Sequence, residues 1–462
     1  MQINFTETVL GDGNQFLSAS CMPFSDFEGI LEKLDQAGYY SLECWSGTIF
    51  DSCLRRLNED PWERLRKIKA RVTNTPLQML FNGQNILGRK QYPDDVVRKF
   101  VSKSIENGIS ILRIFDGLND FRNLQTAIDE TLKCGGHAQG CICYSLSPIY
   151  NLEKYKEMGK QLESLGANSI CLKDTSGMIE PGTAFDLIKC LKESVSIPVF
   201  VHTNSKTGLG TISYIKAAEA GCDGIDTAVS AFSGGTSQPA TETMLYSLKN
   251  LGFESSLNTT ILKEINDFFK QLKLQYLNSG LIDPYVMETE TDSLAYQVPD
   301  SMLLNLLAQL KSQNAADRLN DVLAEVLNVR KDLGYPPLVT PVSQIIGGQA
   351  SLNVLSGERY KNISKEVEAY LKGEFGQAPG YIDQDLQQKV LGGDTPFTGR
   401  YADTLQPGFD TAKKEKRSLF NSQEDVLSYI VFPQAAEKFL KDREESKART
   451  VSYVITKTSG GK

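Results

Sequence analysis

His202 is one of two histidines in a chain of 462 residues. It ends the apolar run of PVFVHTNSKTGLG (198–210), where the chain turns polar before a glycine. An imidazole at such a stop can ligate a metal ion if other donors meet it. Asn204 lies two residues on and faces the same side of an extended chain. Other chemically capable residues end or follow similar runs. Asp12 ends TVLGD (8–12) with Gln15 behind it, and Arg113 and Asp116 lie in ILRIFD (111–116). Lys173 and Asp174 close SICLKD (169–174), and Thr236, Ser237 and Gln238 follow the run at 224–230. Singly, each has an ordinary reading: a helix cap for Asp12, a local ion pair for Lys173, a hydrogen-bonded core histidine for His202. Together they offer a carboxylate, an amine, an imidazole and amides, a set suited to holding a cation and moving protons.

The elements that must position this set recur at a steady interval. Short apolar runs stand at 8–12, 39–45, 76–81, 111–116, 139–144, 169–174, 198–203 and 224–230. Runs of this length suit strands buried on both faces, as in a parallel sheet. Amphipathic helical patterns lie between them. SDFEGILEKLDQAG predicts a helix with Ser25 and Glu28 as a capping box and Gly38 as its stop. Eight βα units at roughly 30-residue spacing predict a (β/α)8 TIM barrel, with a doubly wound open sheet as the alternative. In such barrels the C-terminal strand ends carry the chemistry, and the polar residues above sit there.

The barrel is expected over residues 1–256, a mostly helical C-terminal extension over 257–385, and an extended surface segment with a short helix (424–445) and a polar tail over 386–462. A net charge of −8 gives no basic field for nucleic acid or anionic membrane. No stretch of about 20 apolar residues predicts a membrane span, and the start lacks a secretory pattern, so a cytoplasmic protein is expected. The nine cysteines form no Cys-x-x-Cys pair, which speaks for reduced, buried thiols and against a zinc ribbon.

Several longer motifs carry a resemblance. YYSLECWSGTIFDSCLRRLNEDPWERLR (39–66), NTPLQMLFNGQNILG (74–88), RIFDGLND (113–120), KDTSG (173–177), GGTSQPATE (234–242) and DLGYPPLVTPVSQIIGGQASLNVL (332–355) resemble the carboxyltransferase component of biotin-dependent enzymes. That family includes the carboxyltransferase subunit of two-subunit pyruvate carboxylases, the oxaloacetate decarboxylase α subunit and the keto-acid subunit of transcarboxylase. The resemblance implies transfer of CO2 between carboxybiotin and pyruvate, or the reverse decarboxylation of oxaloacetate. It implies a divalent metal (zinc, cobalt or manganese) on Asp12, a carbamylated Lys173, His202 and the position of Asn204. Gln15 and Arg113 fall in its keto-acid pocket, and Thr236 on its proton-shuttling threonine. With no biotinyl motif in the chain, biotin is expected on a separate carrier protein, alongside other carboxylase or decarboxylase subunits and within a homodimer.

The chain departs from that pattern at the rim. Gly11 and Cys21 stand where the family has arginines, Asn14 and Asn204 where it has histidines, and Asp300 and Ser301 where it has two glycines. An asparagine oxygen in place of an imidazole tilts metal preference toward manganese or magnesium. Losing the arginine at Gly11 removes a charge-assisted contact worth roughly 1.5–3 kcal/mol. Two further readings follow: a catalytically weakened paralogue serving as a binding or assembly subunit, and a metal-dependent aldolase or lyase of the same barrel superfamily.

Overall fold

The computed structural model describes residues 1–88 and 90–459, except for the side chains of Phe16, Asp300, Ser301 and residues 447–459. The side chains of Asp300 and Ser301, and the end of the polar tail from residue 460, therefore lie outside the described residues.

Eight parallel strands close into a barrel in chain order. They are β1 (Asn4–Glu7), β2 (Ser41–Trp45), β3 (Leu77–Phe81), β4 (Ile109–Ile114), β5 (His137–Cys143), β6 (Ser169–Asp174), β7 (Val199–Thr203) and β8 (Gly224–Thr227). β1 pairs with β8, Thr6 opposite Asp226, so the sheet has no free edge. The (β/α)8 expectation holds, and the open sheet does not. The outward face of the strands is apolar: Leu42, Leu112, Ile142, Leu172, Val201 and Ile225 join the large core shared with the surrounding helices. The inward face is largely polar. Thr6 and Ser41 hydroxyls meet at 2.9 Å, and Gln139 donates to Ser169 at 3.0 Å.

The first strand lies earlier than the apolar run at 8–12 suggests, because Glu7 ends it. Its Oε1 accepts from the amides of Val9 (2.9 Å) and Val229 (3.1 Å), turning the chain and tying it to the end of β8. Val9 and Leu10 are buried in the turn, and Asp12 opens a short helix, Asp12–Leu17. The capping box at Ser25 and Glu28 does not form. Pro23 caps that helix, and Ser25 Oγ turns to Asp26.

Burial raises Glu7 to about 7, against the hydrogen bonds that favour its anion. A carboxyl whose folded value exceeds its ordinary 4.5 binds an extra proton in the folded state. Its stabilising contribution is therefore full below that ordinary value and is lost as pH rises through 7. Urea midpoints are expected to fall between about pH 5 and about pH 8, and Glu7→Gln to flatten that slope.

Beyond the barrel, the helix Thr259–Ser279 buries Leu262, Ile265, Phe269 and Leu272 in the barrel's own core. A second core, built on Met302, Leu306, Val326, Val329 and Ile346, belongs to the helices that follow. Within the span 386–462, expected as an extended surface segment with a short helix and a polar tail, residues 409–440 instead return to the barrel. Phe409, Val426, Leu427, Ala436 and Leu440 enter the first core, and Trp62 Nε1 donates to Ser428 at 3.0 Å. The expected helix at 424–445 is two, Gln423–Val431 and Pro433–Ser459, broken where Pro433 starts the second. Among the described residues, no helix is long and apolar enough to cross a membrane.

Candidate active site

Five strands and the turn after β1 bring charged side chains to one buried cluster inside the C-terminal mouth. Asp12 follows β1, Glu43 lies on β2, Arg113 on β4, Lys173 on β6, His202 on β7 and Asp226 on β8. All six are buried. The inward alternation of parallel strands puts them on one side of the sheet, and the register aligns Lys173 with His202.

At the lower level Arg113 is enclosed. Its guanidinium grips Asp226 through both terminal nitrogens, Nη2 to Oδ1 at 2.9 Å, and Nε donates to Gln139 at 2.6 Å. Glu43 Oε2 stands 3.7 Å from Nη1. Burial works against the charge, but Asp226 outweighs it and holds Arg113 well above its ordinary value. Burial likewise opposes ionisation of Asp226, yet Arg113 and His202 keep its carboxyl well below the usual range. Arg113, expected in the keto-acid pocket, thus lies in the barrel interior with its donors on protein groups.

Asp226 passes this order upward. His202 Nδ1 lies 2.8 Å from Asp226 Oδ2, and Nε2 lies 3.1 Å from Asp12 Oδ2. The Nε2 contact is an ion pair with Asp12, whereas Lys173 Nζ is buried without a hydrogen-bond partner. Burial and the Lys173 charge push His202 down, but Asp12 and Asp226 lift it to about 9. Burial also pulls Lys173 down, and Asp12 and Glu43 outweigh it and raise it. Desolvation raises Asp12, and Lys173 and His202 overcome it and lower it.

Gln238 knits the rim together. Its Nε2 donates to Asp12 Oδ2 at 2.6 Å and to Asn204 Oδ1 at 3.0 Å, while Thr8 donates to its Oε1. Asn204 Nδ2 donates to the Thr236 carbonyl at 2.6 Å. Thr236 Oγ1 donates to the Val286 carbonyl at 3.2 Å. Gln15 is half-buried on Asp12–Leu17, outside this hydrogen-bonded set. Of the seven expected site residues, Asp12, Lys173, His202, Asn204 and Thr236 gather at the rim, Arg113 lies beneath them and Gln15 beside them.

Gln238, one of the amides noted after the run at 224–230, belongs to the same cluster, and so do Glu43, Asp226 and Gln139, to which sequence reasoning gave no role. The available signal was a carboxylate inside an otherwise apolar strand, SLECW for Glu43 and GIDT for Asp226. Glu43 also explains Gly11. A Cβ there would sit 2.6 Å from Glu43 Oε1 and 2.9 Å from its carbonyl oxygen, and the same Oε1 accepts from the Asp12 amide at 3.0 Å.

The donor set can be tested for a metal ion. Among the described residues, no three histidine, cysteine or carboxylate side chains are grouped to hold one. Asp12 and His202 therefore need Lys173 and Asn204 beside them. Lys173 Nζ has no hydrogen-bond partner, His202 Nε2 lies 3.1 Å from Asp12 Oδ2, and Asn204 Oδ1 shares with Asp12 the amide of Gln238. This arrangement fits a divalent cation, with a neutral oxygen as its weakest ligand.

A closed parallel barrel with acid, ammonium and imidazole at its C-terminal mouth defines a (β/α)8 enzyme. Residues 294–460 match the family described as conserved carboxylase domain, and 138–269 the one described as HMGL-like. The chain is 47% identical to a pyruvate carboxylase subunit of Methanocaldococcus jannaschii, over 97% of this chain and 79% of that protein. It is 41% identical to the methylmalonyl-CoA carboxyltransferase 5S subunit of Propionibacterium freudenreichii subsp. shermanii, over 96% of this chain and 88% of that protein. The carboxyl transferase domain of Rhizobium etli pyruvate carboxylase, solved with pyruvate and biocytin, superposes with a TM-score of 0.87 at 29% identity, covering 96% of this chain and 78% of that one. The chain belongs to the biotin-dependent carboxyltransferase family that includes these pyruvate carboxylase and methylmalonyl-CoA carboxyltransferase subunits.

Proposed function

We propose that this chain is a carboxyltransferase subunit that moves CO2 between carboxybiotin on a separate carrier protein and pyruvate, oxaloacetate or a related acid. The observation that carries the reading is the convergence of Asp12, Lys173 and His202 beside Thr236, in a chain so similar to a pyruvate carboxylase subunit. A divalent cation held by Asp12, His202, Asn204 Oδ1 and Lys173 as its carbamate would supply stabilisation of negative charge on the enolate oxygen. The chain's own residues do the rest. Thr236 Oγ1 gives its hydroxyl proton to biotin N1 as the N–CO2 bond breaks and takes one from the methyl carbon of pyruvate in its place. The methyl carbon then forms its new bond to CO2, giving oxaloacetate. Arg113 contributes positive potential from below, and Gln15 flanks the substrate. Subunit-named relatives support further partners, a biotin carrier first among them, and the homodimer belongs to the same proposal.

A second reading, a weakened subunit serving assembly, is favoured by Asn204, whose amide is bonded at both ends. Metal content and oxaloacetate decarboxylation with free biotin separate the two. Bound metal with biotin-dependent turnover supports the first reading, and a metal-free protein without turnover refutes it. Because His202 sits at about 9 and ligation needs its neutral form, metal affinity is expected to rise with pH up to that value. The slope is at least about tenfold per pH unit, measured by competition with a chelator.

A further inference from the structure

Lys206 lies in the same motif as His202 and Asn204, and the reaction above gives it no role. Its side chain is 2% exposed. Among the described residues its ammonium has no carboxylate at ion-pair distance. Nζ donates to the Tyr285 carbonyl at 2.9 Å and sits 4.0 Å from the centroid of the Tyr285 ring. A buried cation without a counter-ion is costly, and here a carbonyl dipole and an aromatic face are what offset it. Both come from segment 284–290, which begins with the 3-10 turn Pro284–Met287 and runs along the surface with Pro284, Glu288 and Thr289 exposed.

The same segment reaches the proposed proton relay. Thr236 donates to the Val286 carbonyl through its amide at 2.8 Å and through Oγ1 at 3.2 Å. The Glu290 amide donates to the Lys206 carbonyl at 2.7 Å. The fit beneath is close: a Cβ at Gly235 would lie 2.1 Å from the Val286 oxygen, so the approach admits glycine alone. The segment is therefore fastened on one side by Lys206 and on the other by Thr236, with the Thr236 hydroxyl under it.

We propose that segment 284–290 is a flap over Thr236 and that Lys206 is the positioning residue that holds it shut, so that biotin reaches the Thr236 hydroxyl after the flap has lifted. The biotin clause rests on the reading of Thr236 as proton relay, whereas the flap does not. Hydrogen–deuterium exchange on the full chain tests the flap directly. Lys206→Ala is expected to speed exchange in peptides spanning 230–242 and 284–292 at least about tenfold, the scale of one lost charge-assisted hydrogen bond, with the barrel strands unchanged. Lys206→Arg, which can donate to the same carbonyl, is expected to restore protection. Gly235→Ala, pressing on the flap from beneath, is expected to raise exchange in the same peptides.

Unchanged exchange in Lys206→Ala overturns the proposal, and so does an acceleration spread evenly over the strands. In turnover, Lys206→Ala is expected to lower KM for free biotin at least about threefold while KM for oxaloacetate stays constant, because the open fraction no longer limits biotin binding. An unchanged biotin KM overturns the gating. A wild-type protein without biotin-dependent turnover refutes the carboxyltransfer reading, and the exchange result then decides the flap by itself.

Discussion

Arg113→Met is expected to lower the free energy of unfolding by about 3–5 kcal/mol, read as a fall in urea midpoint at constant slope. The guanidinium is fully buried and is the main partner of Asp226, with Glu43 at 3.7 Å. Removing it leaves Asp226 with His202 alone and takes from Glu43 its nearest guanidinium, and breaking one side of a buried pair costs far more than never having built it. Arg113→Met combined with Asp226→Asn is therefore expected to recover most of the loss, with a coupling of at least about 2 kcal/mol. A single variant costing under about 1 kcal/mol would show that the barrel interior does not depend on this ion cluster. The cluster also orients the site, since Asp226 fixes the His202 ring through Nδ1. Catalytic loss in Arg113→Met is thus expected to accompany the stability loss, and Asp226→Asn, which strands the buried guanidinium and frees the His202 ring, to lower both as well.

Asn204→His is expected to tighten zinc binding at least about tenfold, measured by titration of the purified protein, and to raise biotin-dependent decarboxylation with it. An imidazole at 204 gives up the two hydrogen bonds that occupy the asparagine amide, to Gln238 and to the Thr236 carbonyl. It adds a nitrogen ligand beside Asp12 and His202. Gly11→Arg behaves differently. Its Cβ would enter the space of Glu43, which holds the Asp12 amide, so the arginine requires Glu43 to move. Alone it is expected to destabilise the protein and leave activity no higher. Together with Asn204→His it is expected to add to activity if Glu43 turns to pair with the new guanidinium. Zinc affinity unchanged by Asn204→His would exclude position 204 from the ligand set.

Asp12, Lys173 and His202 were readable because each stands at the end of a short apolar run, a pattern that strand geometry imposes locally, with Asn204 and Thr236 following such runs. SICLKD marks β6 residue for residue, and Lys173 stands on it where expected. Glu7 shows the limit of that signal. The apolar run at 8–12 has the composition of a strand, but a carboxylate bonding to two loop amides ends β1 before it. Which strand residues face inward was also hidden. A carboxylate inside each of SLECW and GIDT hinted at it, but the partners of Glu43 and Asp226 are defined only when the sheet closes. Arg113 finds Asp226 across 113 positions of chain, and Trp62 finds Ser428 across 366.

The sequence by itself determined the eight βα units and the polar residues Asp12, Lys173, His202, Asn204 and Thr236 that end or follow their strands, because these depend on local period and residue type, which a linear chain carries in full. Its resemblance to the carboxyltransferase family implied their roles and marked Gly11 and Asn204 as substitutions. Tertiary structure alone decided that Arg113 serves a buried ion cluster, that Glu43 fills the space beside Gly11, and that the C-terminal helices return to the barrel. It alone placed segment 284–290 between Lys206 and Thr236. Each of these is a contact between distant residues, set by charge compensation and close packing once the barrel has closed.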